Sequence, residues 1–329
     1  MKAIIFETYG SADVLQYTDT EKPTPKANEV LVKIYASSAN ALDWRMMRAT
    51  PFLARLDNGL FKPKQTRLGA DLSGRVEAVG SSVTQFRPGD AVMGDNFQTG
   101  LGGFAEYVCV AEDRLVLKPE HVSFEDAAAV PLAARTALQG LQMCQIKPGQ
   151  KVLINGASGG VGTYAVQIAK AFGAEVTAVT STRNVDMVRS LGADHVIDYT
   201  KEDFTTNGIA YDAIYCTVGN YSLAEYKRAL AAEGVGVIVG FKSLGRMFSH
   251  LIFGSLKPKA GQKRVGIMGT VAPNKQDMET LRQLLESGKI KTVIDRCYPL
   301  HETAEAMRYL ETGRARGKVV ITVAQDRSA

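Results

Sequence analysis

Gly156, Gly159, Gly160 and Gly162 fall within the stretch NGASGGVG, directly after the apolar run 152–154 and at the head of a helical pattern. A turn of this composition leaves backbone N–H groups free at a helix start, where they can face a phosphate. The missing Cβ atoms let that phosphate approach closely. The helical pattern carries Val161, Ala165, Ile168, Ala169 and Phe172 on one side, and Gly173 stops it. A second strand pattern, EVTAVT, follows at 175–180. Strand, glycine turn, helix and strand together form a unit suited to a dinucleotide. A phosphate-loop nucleoside triphosphatase would need a lysine after the turn, and Val161-Gly162-Thr163 has none.

Sites selective for NAD usually end the second strand on Asp or Glu, which bonds the ribose 2′-OH. Here the strand runs into Thr180, Ser181, Thr182, Arg183 and Asn184. Hydroxyls and a guanidinium suit a 2′-phosphate, and no acid stands in this segment to repel it. NADPH is therefore the expected cofactor, with Ser158, Gly159, Gly160, Val161, Ser181 and Arg183 among its contacts.

These residues need a scaffold. Residues 1–121 are β-rich: EVLVKIYASSA, SGRVEAVG, DAVMG and FAEYVCV are short strands parted by Gly, Pro and Asp, as in a small barrel. From 122 to 272 strands and helices alternate, which predicts a doubly wound parallel sheet with its ligand at the carboxyl edge. Ser123 is expected to cap one helix running through FEDAAAVPLAARTALQGL. Residues 273–329 hold a helix from Lys275 to Glu286 and a last strand, KVVITV, and are expected to complete the first domain.

The 329 residues are 45% hydrophobic and 22% charged, ordinary for a globular chain of two domains. A net charge of +5 is too small to argue for nucleic acid. Cys109, Cys144, Cys216 and Cys297 lie far apart with no CxxC pair, so neither a disulfide framework nor a structural zinc lobe is indicated. A reducing, cytoplasmic location is expected, since no signal peptide and no apolar run long enough to insert in a bilayer are visible.

Over nearly its full length the chain resembles the medium-chain dehydrogenase/reductase superfamily. The blocks LGADLSGRVEAVGSSVTQFRPGDAVMG, GGFAEYVCV, NGASGGVG and ARGKVVIT carry the likeness. It is most similar to the zinc-free quinone oxidoreductase branch and, within it, to the reticulon-4-interacting mitochondrial reductases and their bacterial relatives. The resemblance implies an α/β fold in which a Rossmann domain joins a GroES-like β-barrel domain, assembled as a homodimer. Zinc-dependent relatives hold their metal with a Cys and a Gly-His-Glu motif. Here Asn40 stands in place of that Cys, and Gly69-Ala70-Asp71 replaces the motif. The sulfur and imidazole ligands are gone, so no metal is expected.

Without a metal, the expected acceptors are already activated by conjugation: hydrophobic quinones and α,β-unsaturated carbonyls. Hydride transfer places charge on the substrate oxygen, which calls for a donor. By resemblance, Asn40 and Asp43 form the Asn-x-x-Asp pattern of the active-site loop in SANALDWRMMRATP. Asn40 is expected to donate to that oxygen, and Asp43 to brace the loop through Arg45 or Arg48. Thr136 matches the family's nicotinamide-side threonine, and Tyr199 a tyrosine beside the 2′-phosphate. Gly219, Phe241 and Met268 end later strands of the sheet, and Arg316 precedes the closing strand; each is an expected cofactor contact. The segment 241–265 holds six Lys or Arg and no acid, which suggests a subunit contact, a cleft cover or a membrane surface. The alternative to an enzyme is an NADPH-binding assembly or regulatory protein with little turnover.

Overall fold

The computed structural model describes residues 1–52, 55–241, 243–257 and 261–324. In chain order it begins with β1 (Lys2–Ile5), β2 (Gln16–Asp19), β3 (Glu29–Ala39), α1 (Ala41–Arg48) and α2 (Arg55–Asn58). Then come β4 (Asp71–Val79), β5 (Ala91–Asp95), β6 (Tyr107–Ala111), β7 (Leu115–Leu117), α3 (Phe124–Ala128) and α4 (Pro131–Cys144). The middle holds β8 (Lys151–Asn155), α5 (Gly160–Ala171), β9 (Glu175–Thr180), α6 (Val185–Ser190), β10 (His195–Asp198), β11 (Tyr211–Cys216) and α7 (Leu223–Ala229). The remainder is β12 (Leu230–Ile238), α8 (Leu244–Phe253), β13 (Arg264–Ile267), α9 (Lys275–Glu286), β14 (Ile294–Pro299), α10 (Thr303–Glu311) and β15 (Lys318–Thr322).

One compact unit comprises residues 1–133, 273–287 and 292–329. Its main sheet runs β14-β15-β3-β4-β5-β7, with β6 also on β3. Val30, Val32, Ile34, Leu72, Val92, Val108 and Val110 fill one buried cluster of this sheet. The chain's last strand lies against its third, Val319 opposite Ala39 and Val320 opposite Ser38. The unit extends past the expected boundary at 121/122, because α3 belongs to it. The Phe124 ring stacks on Tyr35 of β3 with centroids 4.5 Å apart.

The single helix expected from Ser123 is two helices. Ser123 does cap α3, accepting the Asp126 N–H, but the chain restarts at Pro131, which lacks an N–H and suits a first helical position. The segment expected as a loop after Asn40 is the helix α1. The Asp43 carboxylate accepts the Asn40 N–H at 2.8 Å and so satisfies a donor at the helix start.

The second unit, 134–272 with 288–291, contains a six-stranded sheet in the order β10-β9-β8-β11-β12-β13. All its pairings are parallel. The order reverses between β8 and β11, which makes the carboxyl ends of those strands the ligand crevice of a Rossmann sheet. Val152, Leu153, Ile154, Val176, Ala178, Ile214 and Val237 are buried in it, as strands covered on both faces require. In the basic segment, α8 exposes Phe248, Leu251, Ile252 and Phe253. Lys242 and Lys259 lie outside the described residues.

Candidate functional site

In the first unit three chain segments meet in one buried polar network. Ser38 near the end of β3, Asp71 at the head of β4 and Lys318 at the head of β15 are all buried, Lys318 at 3% exposure. The Lys318 ammonium donates to Asn40 Oδ1 at 2.6 Å and reaches Asp71 Oδ2 at 3.4 Å. Asp71 Oδ2 also accepts Ser38 Oγ at 2.5 Å and Asn40 Nδ2 at 2.9 Å. Its other oxygen accepts the Leu132 N–H at 2.8 Å. The second Asn40 amide hydrogen goes to the Ser38 carbonyl at 3.1 Å. Burial pulls the Lys318 pKa down, and Asp71 pulls it back up. A buried charge is tolerated when it is paired and hydrogen-bonded, and both members of this pair are.

This network corrects two expectations. Both Asn40 amide hydrogens are already given to internal acceptors, so in this arrangement the side chain braces the network and has no N–H left for a substrate oxygen. Asp43 braces the loop, but not through an arginine. Its oxygens accept the Asn40 and Gly69 N–H groups at 2.8 and 2.9 Å, while Arg48 pairs with Glu311 and Arg45 lies over Trp44. Gly69 sits at φ +89°, where a Cβ would lie 2.5 Å from the Phe104 nitrogen, so only glycine presents that N–H to Asp43.

Burial pushes the Asp43 carboxyl up to about 7, against the pull of the Gly69 and Asn40 N–H groups. The unfolded chain releases this proton near pH 4. Between those values the folded state holds a proton that the unfolded state lacks, so stability falls as pH rises and is lost through about pH 7. Urea midpoints are expected to decline from pH 5 to 8 by the equivalent of about 2–3 kcal/mol, and Asp43→Asn should flatten that decline. An Asp43→Asn profile as steep as the parent's would show that another group titrates.

Beside the network lies an apolar wall of buried Ala70, Leu101 and Leu132, with Leu42, Met46 and Phe97 half-buried against it. A zinc ion does not fit this donor set. One carboxylate and one amide remain, and an ammonium already engages both. Among the described residues no group of three His, Cys, Asp or Glu side chains could hold a metal.

The second unit carries the glycine turn. The Gly156 and Ala157 N–H groups both reach the Val179 carbonyl, tying the turn to β9. Gly156 has φ +85°, and a Cβ there would lie 2.3 Å from Thr217 Oγ1. A Cβ on Gly162 would lie 2.1 Å from the Gly156 carbonyl oxygen. A Cβ on Gly159, the N-cap of α5, would meet nothing nearer than 3.7 Å. The cradle is thus closed behind and open in front, which fits a pyrophosphate.

Asn184 Nδ2 donates to Ser158 Oγ at 3.0 Å and to Ser181 Oγ at 3.3 Å, joining the turn to the end of β9. Thr180 Oγ1 and Asn184 Oδ1 are buried without partners. Arg183 is exposed in a one-turn helix, Tyr199 is 57% exposed just past β10, and Gly160 and Val161 open α5. The absence of an acid holds along the chain but not in space. Asp198 on β10 accepts the Thr182 hydroxyl at 2.6 Å and the Thr200 hydroxyl at 2.7 Å. Those bonds, Thr182 first, hold its carboxyl down at about 2.

Thr136 is buried in α4, its carbonyl accepting the Tyr215 hydroxyl at 2.9 Å. Gly219, at φ +56°, donates its N–H to Cys216 Sγ at 3.1 Å. Phe241 packs against the sheet core, and the Met268 N–H bonds the Ile238 carbonyl. Arg316 is exposed, held through its backbone N–H to Asp295 in the first unit. The buried cation of that segment is Lys318, two residues on. Cys216 is a buried packing group beside the Tyr226 hydroxyl.

The chain matches the family profile described as "Alcohol dehydrogenase GroES-like domain" over residues 26–120 and that described as "Zinc-binding dehydrogenase" over 191–321. It is 38% identical to a 2-methylene-furan-3-one reductase of Solanum lycopersicum, over 98% of this chain and 79% of that protein. It is 34% identical to an NADPH-dependent alkenal/one oxidoreductase of Arabidopsis thaliana, over 98% and 79%. The solved quinone oxidoreductase of Coxiella burnetii superposes with a TM-score of 0.84 at 32% identity, over 98% of this chain and 99% of that one.

Proposed function

Because the chain belongs to the medium-chain dehydrogenase/reductase superfamily, in its quinone oxidoreductase branch, we propose that it is an NADPH-dependent, zinc-independent reductase of quinones or α,β-unsaturated carbonyls. Membership makes it an oxidoreductase with a nicotinamide cofactor. The observation that carries the finer reading is the pairing of an apolar wall with a lysine-centred network where zinc-dependent relatives keep a metal. Lys318 holds Asn40 and Asp71 in fixed orientations and contributes a positive field beside that wall. Leu42, Met46 and Phe97 suit a flat, hydrophobic, conjugated substrate and keep water from it.

Gly159, Gly160 and Val161 would hold the pyrophosphate, and Ser158, Ser181, Arg183 and Tyr199 the 2′-phosphate. Reduced nicotinamide, when bound, supplies the hydride. Stopped-flow oxidation of NADPH with a panel of quinones and 2-alkenals tests the reading, and turnover with at least one member is expected. No turnover by folded protein that still binds NADPH would instead favour an assembly or regulatory role. Among the described residues no helix is long and apolar enough to cross a membrane. The four cysteines are unpaired, which suits a reducing compartment such as the cytoplasm.

Cofactor choice has its own test. Arg183→Ala is expected to weaken NADPH by about 10- to 100-fold and NADH by less than about threefold, from loss of one charge-assisted bond. Equal losses for both cofactors, measured by fluorescence titration, would remove Arg183 from the 2′-phosphate site.

A further inference from the structure

Asn184 occupies the N-cap of α6, a position where asparagine normally turns its side-chain oxygen onto the helix backbone. It makes no such bond. Its amide nitrogen is spent instead on two serine oxygens from two different segments, Ser158 of the glycine turn and Ser181 at the end of β9. The residue is 4% exposed, and its carbonyl oxygen is buried without a partner. The opposite amide orientation would bury an unpaired NH2, two orphan donors in place of one acceptor. Orphan donors are the rarer case in folded proteins.

A hydroxyl whose oxygen accepts an N–H still has its own hydrogen to give. Asn184 therefore leaves the hydroxyl hydrogens of Ser158 and Ser181 turned away from itself, on two half-buried groups that bond the same amide nitrogen. Each serine oxygen keeps one further lone pair, so a ribose 2′-OH can bond one of them, whereas a phosphate can take the hydrogens of both at once. A phosphate offers only acceptors at neutral pH. Asp198, the nearby acid, has its carboxylate engaged by the Thr182 and Thr200 hydroxyls.

We propose that Asn184 is a positioning residue for cofactor selection: by fixing Ser158 and Ser181 as donors, it tunes this end of the site to a phosphomonoester dianion. The proposal rests on the NADPH reading above and names the residue that enforces it. Unlike Arg183, Asn184 acts without touching the ligand.

Calorimetric titration of the full chain with 2′,5′-ADP and with 5′-AMP tests it. Both carry adenosine with a 5′-monophosphate, and they differ only in the 2′-phosphate. Asn184→Asp keeps the shape but turns the brace into an acceptor that captures both serine hydrogens. It is expected to weaken 2′,5′-ADP by about 100-fold and 5′-AMP by less than about threefold. Ser181→Ala should cost 2′,5′-ADP about 10-fold and 5′-AMP less than about threefold. Equal losses of both ligands in Asn184→Asp would reduce Asn184 to a structural part and overturn the proposal. If Asn184→Asp does not fold, an unaltered 2′,5′-ADP affinity in Ser181→Ala overturns it independently. Parent protein that binds 5′-AMP as tightly as 2′,5′-ADP would fail the NADPH reading itself, a result distinguishable because it needs no variant.

Discussion

Lys318→Met is expected to lower the unfolding free energy by about 3–5 kcal/mol, because it leaves the Asp71 carboxylate buried without its countercharge. Methionine keeps most of the side-chain volume, so the loss would be electrostatic rather than a cavity effect. Asn40 Oδ1 would lose its donor in the same step. The double variant Asp71→Asn/Lys318→Met removes both charges and should recover most of the loss. Urea denaturation of the parent, both single variants and the double variant yields the coupling energy. A double variant no more stable than the sum of the singles would show that the two groups do not act as a pair. Activity should separate the two roles of the lysine: where folding is restored, reductase kcat should remain low if its positive field acts on the substrate oxygen.

Gly162→Ala is expected to disrupt the glycine turn outright, because its new methyl group would sit 2.1 Å from the Gly156 carbonyl oxygen and 2.8 Å from the Ala157 Cα. Those atoms are backbone, fastened to β9 by the Gly156 and Ala157 bonds to Val179, so the clash has no cheap escape. Overpacking of this kind costs about 1–3 kcal/mol or more. Gly159→Ala meets nothing closer than 3.7 Å and has ordinary φ of −82°. It should leave thermal stability within about 0.5 kcal/mol yet weaken NADPH by about 10-fold or more, since on the proposed reading its methyl group would stand where the pyrophosphate approaches. Thermal melts and NADPH titrations of both variants provide the comparison. A Gly159→Ala protein with full NADPH affinity would place the phosphates elsewhere.

Much of the frame was legible in the sequence, for local reasons. The strand patterns EVLVKIYASSA and EVTAVT coincide with β3 and β9, because unbroken apolar or alternating runs bounded by turn residues have few other solutions. The glycine turn was legible because its constraint is written in missing side chains. Pro131 divides the expected single helix, and its missing N–H is the signal that announces the division. Arg316 is exposed and Lys318 buried, a difference that residue type alone does not reveal. A lysine heading the apolar strand KVVIT was the available signal, as a charge there must be paired. Its partner Asn40 lies 278 positions away, and no spacing rule spans that distance. Asp198 is only 16 positions from Thr182, but it reaches the 181–184 segment through the pairing of β10 with β9, which no local pattern in the sequence announces.

The pairing of β15 with β3 has a consequence for biosynthesis. Ala39 leaves the ribosome 280 residues before Val319, its strand partner, an interval of roughly 15–55 s at about 5–20 residues per second. Throughout that interval the 36–39 edge of β3 stands unpaired and Asp71 lacks its ammonium. The segment 134–272 can meanwhile build its parallel sheet from contiguous chain. The nascent polypeptide can thus build its parallel sheet before β15 covers the free edge of β3 and before Asp71 gains its countercharge.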